Sequence, residues 1–322
     1  MTQNKVTLLE CTNNPLKSIW ARTRGTTTFK GFDKVWETPE TFYPKKVRDE
    51  LKVFFGVLET ATDSFSYEKG LTDIAHNEQL RLVQEALRAG HWSVSRGVSF
   101  TFAINCSRNE SLQLLRHVQG ISHEQSSMRY VSFTEENYIQ KLETATWEFQ
   151  QNFVQEKKEN LLKILNEVFV VPETLISAEN FLLRDWSWLR YDELKRYQDE
   201  IENDIPKEDA RDNLPGCART NLISSFSFEA LKNFLAKRLC TRAQSHIRET
   251  AKQMRKLVVS KFPWMSEFLT IQCIPTGICP ETHYKDCPLI CSNGGNILPQ
   301  ELANEVLKEY VKTIKRTVPT KI

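Results

Sequence analysis

Hydrophobic and polar positions along this chain follow two different periods, and together they predict strands mixed with helices. Val6, Leu8 and Leu9 suggest a first strand, after which Asn14-Pro15 opens a short helix. Val47, Leu51, Phe54, Phe55 and Leu58 recur at helical spacing behind Pro44. Leu80, Val83 and Leu87 form another helical face, which Gly90 ends as a C′ residue. Val98, Phe100, Phe102 and Ile104 alternate strictly, as in a strand with one buried face. Ser107-Arg-Asn-Glu110 reads as a capping box, starting a helix that carries Leu112, Leu115 and Val118 and stops at Gly120. Met128 to Phe133 reads as a return strand.

Farther along, Ile139, Leu142, Phe149 and Phe153, then Leu161, Ile164, Leu165 and Val168, predict a helical insertion. Its aromatic stretch from Trp186 to Tyr197 reads as packing. The longest helix is predicted from about Phe228 to Lys261, with apolar positions at Phe228, Leu231, Leu235, Leu239, Ala243, Ile247 and Met254. Ser227 caps it and Pro263 ends it. The fold class that follows is α/β (α+β): a mixed central sheet flanked by helices, with a long helix and a helical insertion. Residues 1–133 and 210–265 form the core, 134–209 the insertion, and 266–322 a Cys-rich C-terminal extension.

Composition narrows the class. The 322 residues are 40% hydrophobic and 26% charged, which excludes a disordered, collagen-like or coiled-coil chain. No apolar run approaches the roughly 20 residues of a membrane span, and nothing behind Met-Thr-Gln-Asn-Lys reads as a signal peptide. A soluble, cytoplasmic protein without a membrane partner is expected, and its eight cysteines are not expected to build a disulfide framework. The net charge of +2 is a cancellation. Between Thr134 and Asp209 there are 18 acidic and 9 basic residues, a net of −9, which leaves +11 for the rest. That excess suggests anionic partners. Without a basic run interleaved with aromatics, phosphorylated small molecules are favoured over nucleic acid.

Two stretches carry concentrated polar chemistry. From Gln113 to Tyr130, a helix end with Arg116 and His117 leads into a loop of Ser, Gln and Arg, with donors for a phosphate or a pyrimidine edge. A capped helix followed by a solvated loop would look the same. On the long helix, Asn233, Lys237, Gln244 and Arg248 form a polar stripe, with Arg238 and Arg242 beside it. A solvated helix face has that pattern too.

The order of both stretches resembles the flavin-dependent thymidylate synthase family. Arg116-His117 followed by Ser122, Gln125, Ser127, Arg129 and Tyr130 is similar to its Arg-His-Arg…Ser…Ser-x-Arg-Tyr signature. Gly90-His91-Trp-Ser-Val and Phe100-Thr-Phe resemble its lead-in. Ala210-Arg211-Asp-Asn-Leu214-Pro215, Thr220, Asn233-Phe234-Leu235, Arg238 and Ala243-Gln244-Ser-His-Ile247-Arg248 resemble its second half. The resemblance covers roughly residues 88–133 and 210–290. It implies a homotetramer binding FAD between subunits and reductive methylation of dUMP at C5, with methylenetetrahydrofolate as carbon donor and NADPH as reductant. It implies that Gln113, Gln125, Ser126, Ser127, Arg129 and Arg211 hold dUMP, with Arg238 against the uracil as the catalytic cation. His91, Arg116, His117, Ser227, Asn233 and Gln244 fall on the cofactor side.

Three positions depart from the family pattern. Val118 stands at the second Arg of Arg-His-Arg, Gly97 at a lead-in His with Arg96 before it, and Glu229 at an Arg opening the long helix. Glu229 reverses a charge where cofactor phosphates would lie, and Gly97 and Val118 are expected to leave space that admits water. A related enzyme that hydroxymethylates dUMP, or a nucleotide-binding subunit without flavin, are the alternative readings. In the tail, Cys273, Cys279, Cys287 and Cys291 with His283 suit a tetrahedral zinc site, against the alternative of reduced thiols in a loop.

Overall fold

The computed structural model describes residues 4–25, 64–127, 133, 137–281, 287–290, 295–299, 303–306 and 308. The helix predicted around Val47–Leu58, most of the Met128–Phe133 strand, Arg129, His283 and Cys291 lie outside the described residues.

A four-stranded antiparallel sheet runs in the order β1-β2-β4-β3, where β1 is Lys5–Cys11, β2 Ser99–Ser107, β3 Ile121–Gln125 and β4 Arg219–Ser227. A separate parallel pair joins β5 (Ile278–Cys279) to β6 (Leu298–Pro299). The alternation from Val98 holds: Phe100, Phe102 and Ile104 are buried, and β2 pairs along its length with β4, from Ser99↔Ser227 to Ser107↔Arg219. A strand that the apolar pattern does not mark is β3, which pairs Ile121 with Phe226 and Gln125 with Leu222.

Helices α1 (Pro15–Gly25) and α2 (Ser64–Arg88) cover the sheet with Ile19, Trp20, Val83 and Leu87. Gly90, at φ +90°, turns the chain just after α2, in the left-handed region that glycine enters without cost. Helix α3 (Arg108–Leu115) is capped by Ser107, whose Oγ accepts from the Glu110 backbone N–H at 3.1 Å. The Glu110 side chain does not complete the capping box. It accepts from Asn4 Nδ2 and Thr250 Oγ1, each at 2.7 Å, and so ties α3 to the N-terminal segment and to the helix Ser245–Lys261.

Helices α4 (Tyr138–Asn152), α5 (Gln155–Val168) and α6 (Asn180–Glu202) fold around their own core of Leu142, Phe149, Leu161, Leu165, Leu183 and Tyr197. That core extends to Leu214 and Ala218, and a Phe169↔Ala218 bridge joins it to the start of β4.

The helix predicted over Phe228–Lys261 is two helices, α7 (Phe228–Arg238) and α8 (Ser245–Lys261). Apolar spacing continues across the break, with Leu239, Ala243 and Ile247 packed on the core, so hydrophobic periodicity alone does not reveal it. Backbone chemistry explains the interruption. Arg248 donates to the carbonyls of Thr241 (2.7 Å) and Ala243 (3.3 Å), satisfying groups that a continuous helix would pair internally. Ser227 caps α7 and Pro263 follows α8, as predicted.

Candidate functional site

The end of α3, the turn that follows it and the end of α7 converge. Arg238 stands in the last turn of α7, where a cation is favoured by the helix dipole. Its Nε donates to His117 Nε2 at 3.1 Å, and its terminal nitrogens donate to Gln113, to Oε1 at 3.5 Å and to the backbone carbonyl at 3.4 Å. Gln113 Nε2 donates onward to Gln244 Oε1 at 2.5 Å, across the α7–α8 break. Four residues from three parts of the chain thus form one network. Burial and the neighbouring Arg116 press the Arg238 pKa below its ordinary value, yet a guanidinium remains charged in proteins.

His117 is half-buried with its ring edge-on to Phe234, centroids 5.1 Å apart. Burial, then Arg238, Lys237 and His123, push its pKa down to about 4. It is therefore neutral near pH 7 and free to accept from Arg238. Its folded pKa lies below the unfolded value near 6.5, so the stability it contributes is full above that value and is lost as pH falls from about 6.5 to 4. An imidazole NMR titration is expected to place its midpoint near 4; a midpoint at the ordinary histidine value would contradict this environment.

The turn carrying these groups is fixed by Gly120 at φ +70°, whose carbonyl accepts from Ser227 N at 2.9 Å. A Cβ there would lie 2.7 Å from Ser227 Oγ. Gly120→Ala is expected to cost about 1–2 kcal/mol, from left-handed strain with the clash added, measurable as a lower urea midpoint.

Two cavities flank the network. One, of about 660 Å³, is lined by Arg116, His117, Lys232, Asn233, Lys237 and Gln272 among others. The second, of about 480 Å³, holds Arg238, Arg242 and Cys240, and shares Ala236, Lys237 and Gln272 with the first. Both lie in the range of small-molecule sites. The cationic groups at their walls suit anionic ligands.

The other predicted site residues divide. Gln125 ends β3 and donates to Ser111 Oγ and Thr220 Oγ1, both at 3.1 Å, while Ser126 N–H donates to the Asn221 carbonyl, with Ser127 following. Arg211 sits at the opposite end of α3 from Gln113, where its carbonyl accepts from Arg108 at 3.3 Å. His91 is exposed and Ser227 is engaged as a helix cap; neither is among the described residues lining the two cavities. Lys232, Gln272 and His123 join the site without having been singled out. Lys232 and His123 stand beside the marked Asn233 and Ser122, a signal that was available.

One departure from the family pattern has a partner, since Glu229 forms an ion pair with Arg96. The reversed charge at Glu229 is thereby matched. Gly97 does not leave the expected space, because a Cβ there would meet the Arg22 guanidinium. Val118 is 70% exposed and lines the first cavity.

The tail thiols of Cys273, Cys279 and Cys287 gather with Cys240 around a small cavity of about 20 Å³. Among the described residues no group of three or more His, Cys, Asp or Glu side chains is arranged to hold a metal ion, so the zinc site expected here is not formed by the three described cysteines. Burial raises the Cys273 thiol pKa, and neighbouring thiols add to the rise. No helix among the described residues is long and apolar enough to cross a membrane.

Comparison with known proteins decides the family. The family model described as "Thymidylate synthase complementing protein" matches residues 46–264. The chain belongs to this family. A flavin-dependent thymidylate synthase of Pyrococcus furiosus is 30% identical over 230 residues, covering 69% of this chain and 79% of that protein. Its counterpart in Pyrococcus horikoshii is 33% identical over 202 residues, or 61% and 70%. A solved structure, a UMP/dUMP methylase PolB from Streptomyces cacaoi bound with 5-Br dUMP, shares the fold with TM-score 0.53 and 16% identity, covering 83% of this chain and 95% of that one. As a member of the flavin-dependent thymidylate synthase family, the chain is an enzyme of the methyltransferase type.

Proposed function

We propose that this enzyme methylates dUMP at C5 to form dTMP, with FAD, methylenetetrahydrofolate and NADPH, in a homotetramer that shares the flavin between subunits. The observation that carries the reading is Arg238 standing where two cation-lined cavities adjoin, held by Gln113 and His117. The nucleotide takes the Arg238 side, with Gln113, Gln125, Ser126, Ser127, Arg129 and Arg211 as its contacts, and Arg238 faces the uracil. A fixed cation there stabilises negative charge developing on the base as C5 attacks the one-carbon unit. The flavin takes the larger cavity, where Arg116, His117 and Asn233 would hold it and Lys232 and Lys237 would face its phosphates. His91, Ser227 and Gln244 act at its margin. When bound, the flavin supplies reducing equivalents, and the chain's own residues bind, orient and polarise.

The relatives' description as flavin-dependent thymidylate synthases, and a shared fold with a methylase bound to a dUMP analogue, support this substrate. The Arg96–Glu229 pair supports retention of flavin, because it matches the charge that would oppose the cofactor. The test is mass spectrometry of the nucleotide formed from dUMP with methylenetetrahydrofolate, NADPH and FAD. dTMP is expected. A product one oxygen heavier means hydroxymethylation, and dUMP binding without FAD binding would overturn the enzymatic reading.

A further inference from the structure

Behind His117 lies a second imidazole that no role has yet absorbed. His123, in the middle of β3, places Nδ1 2.8 Å from Ser224 Oγ on β4 and Nε2 3.1 Å from the His117 carbonyl oxygen. Ser224 is fully buried. The partners dictate the protons. A carbonyl oxygen only accepts, so His123 carries its hydrogen on Nε2, and in the neutral ring Nδ1 accepts from the Ser224 hydroxyl. An arginine Nε only donates, so His117 leaves Nε2 bare and, when neutral, carries its hydrogen on Nδ1. The two histidines hold opposite tautomers.

Both rings rest on one aromatic pair. His123 stands edge-on to Phe226 at 6.1 Å, His117 edge-on to Phe234 at 5.1 Å, and Phe226 packs on Phe234 at 5.4 Å. A continuous path therefore runs from the sheet at Ser224, through His123 and the His117 backbone, to the His117 ring and the Arg238 guanidinium.

We propose that His123 is a positioning residue for Arg238, acting by fixing the backbone and ring of His117. The proposal rests on the reading of Arg238 as the group facing the uracil. Charged or titratable groups stand near His117 on several elements: Arg238 and Lys237 from α7, Arg116 from its own turn and the His123 ring from β3. A misplaced His117 ring would surrender the acceptor that selects one Arg238 orientation. Only the guanidinium's weaker contacts to Gln113, at 3.4–3.5 Å, would then remain.

His123→Phe keeps a ring against Phe226 and removes both hydrogen bonds; Ser224→Ala removes one and is the smaller change should the first fail to fold. Turnover of dUMP is expected to fall by ~10–10²-fold in His123→Phe, as for a displacement of about an ångström at a reacting group, while KM for dUMP changes much less. Nitrogen-15 imidazole NMR on the full chain without substrate is expected to show His117 with its hydrogen on Nδ1, and to show that preference weakened, with a raised titration midpoint, in both variants. His123→Gln, which can still donate to the carbonyl, should restore part of each effect. An unchanged His117 tautomer and midpoint in the variants overturns the proposal, and so does a shifted tautomer with wild-type turnover. Failure of the wild type to convert dUMP would instead overturn the functional reading, and the NMR measurement separates the two.

Discussion

Arg238→Ala is expected to lower dUMP turnover by about 10²–10³-fold, the loss typical when one preorganised group facing developing charge is removed. The effect should appear in kcat at saturating dUMP, since the guanidinium's charge matters most once the base becomes electron-rich. The fold should survive. Arg238 makes hydrogen bonds of 3.1–3.5 Å to His117 and Gln113 and has no place in the hydrophobic core, so its loss costs on the order of 1 kcal/mol. Arg238→Lys should recover little, because an ammonium cannot reproduce a planar fork that meets His117 with one nitrogen and Gln113 with the others. Single-turnover conversion, with the urea midpoint measured in parallel, provides the check. Turnover within about tenfold of wild type would remove Arg238 from the chemistry, since a group facing developing charge is worth more than that.

Local pattern and long-range pairing were legible to different degrees. The strand at Phe100–Ile104 was readable because every second residue is apolar and all of them face one core. Its central partner β4 was not, because its buried row, Thr220, Leu222, Ser224 and Phe226, is half polar. Ser224 is there for His123, so the residue that hides the strand also builds the site. β3 was illegible for a similar reason: Ile-Ser-His-Glu-Gln has one apolar residue in five, and its pairing is set by β4. The break between α7 and α8 escaped because apolar spacing bridges it, while the bonds that stabilise it come from Arg248 and Gln113. In the site, Gln113 and Arg238 lie 125 positions apart and no periodicity relates them. Family resemblance named them, and the fold shows how they meet. The Arg96–Glu229 pairing was hidden because the two residues lie far apart in the chain, and Glu229 alone looked like a defect.

Glu110→Ala is expected to give the largest loss of stability, about 2–4 kcal/mol, read as a fall in the urea midpoint. The carboxylate is buried where β1, α3 and α8 meet, and it accepts from Asn4 and Thr250. Alanine leaves the Thr250 hydroxyl without that acceptor and weakens Asn4, whose remaining bonds are 3.3 Å to the His246 carbonyl and 3.0 Å to Thr250. It also opens a cavity at this buried position. The loss should reach the site, because α3 carries Gln113. The pH dependence has a definite sign. Burial raises the Glu110 pKa above the ordinary carboxylate value, against the lowering effects of Thr250, Asn4 and Arg219. A carboxyl raised on folding contributes stability that is full below its unfolded pKa and is lost as pH rises through the folded value. Glu110→Gln removes that titration and keeps a side chain of the same length, with an oxygen for Asn4 and an amide that Thr250 can accept by turning its hydroxyl. It should therefore lose less than alanine, and its stability should vary less with pH than the wild type's on the alkaline side of the ordinary carboxylate range. A Glu110→Gln chain as unstable as Glu110→Ala would show that the charge itself holds α3 in place, and one that kept the wild-type pH dependence would show that the dependence does not arise at Glu110.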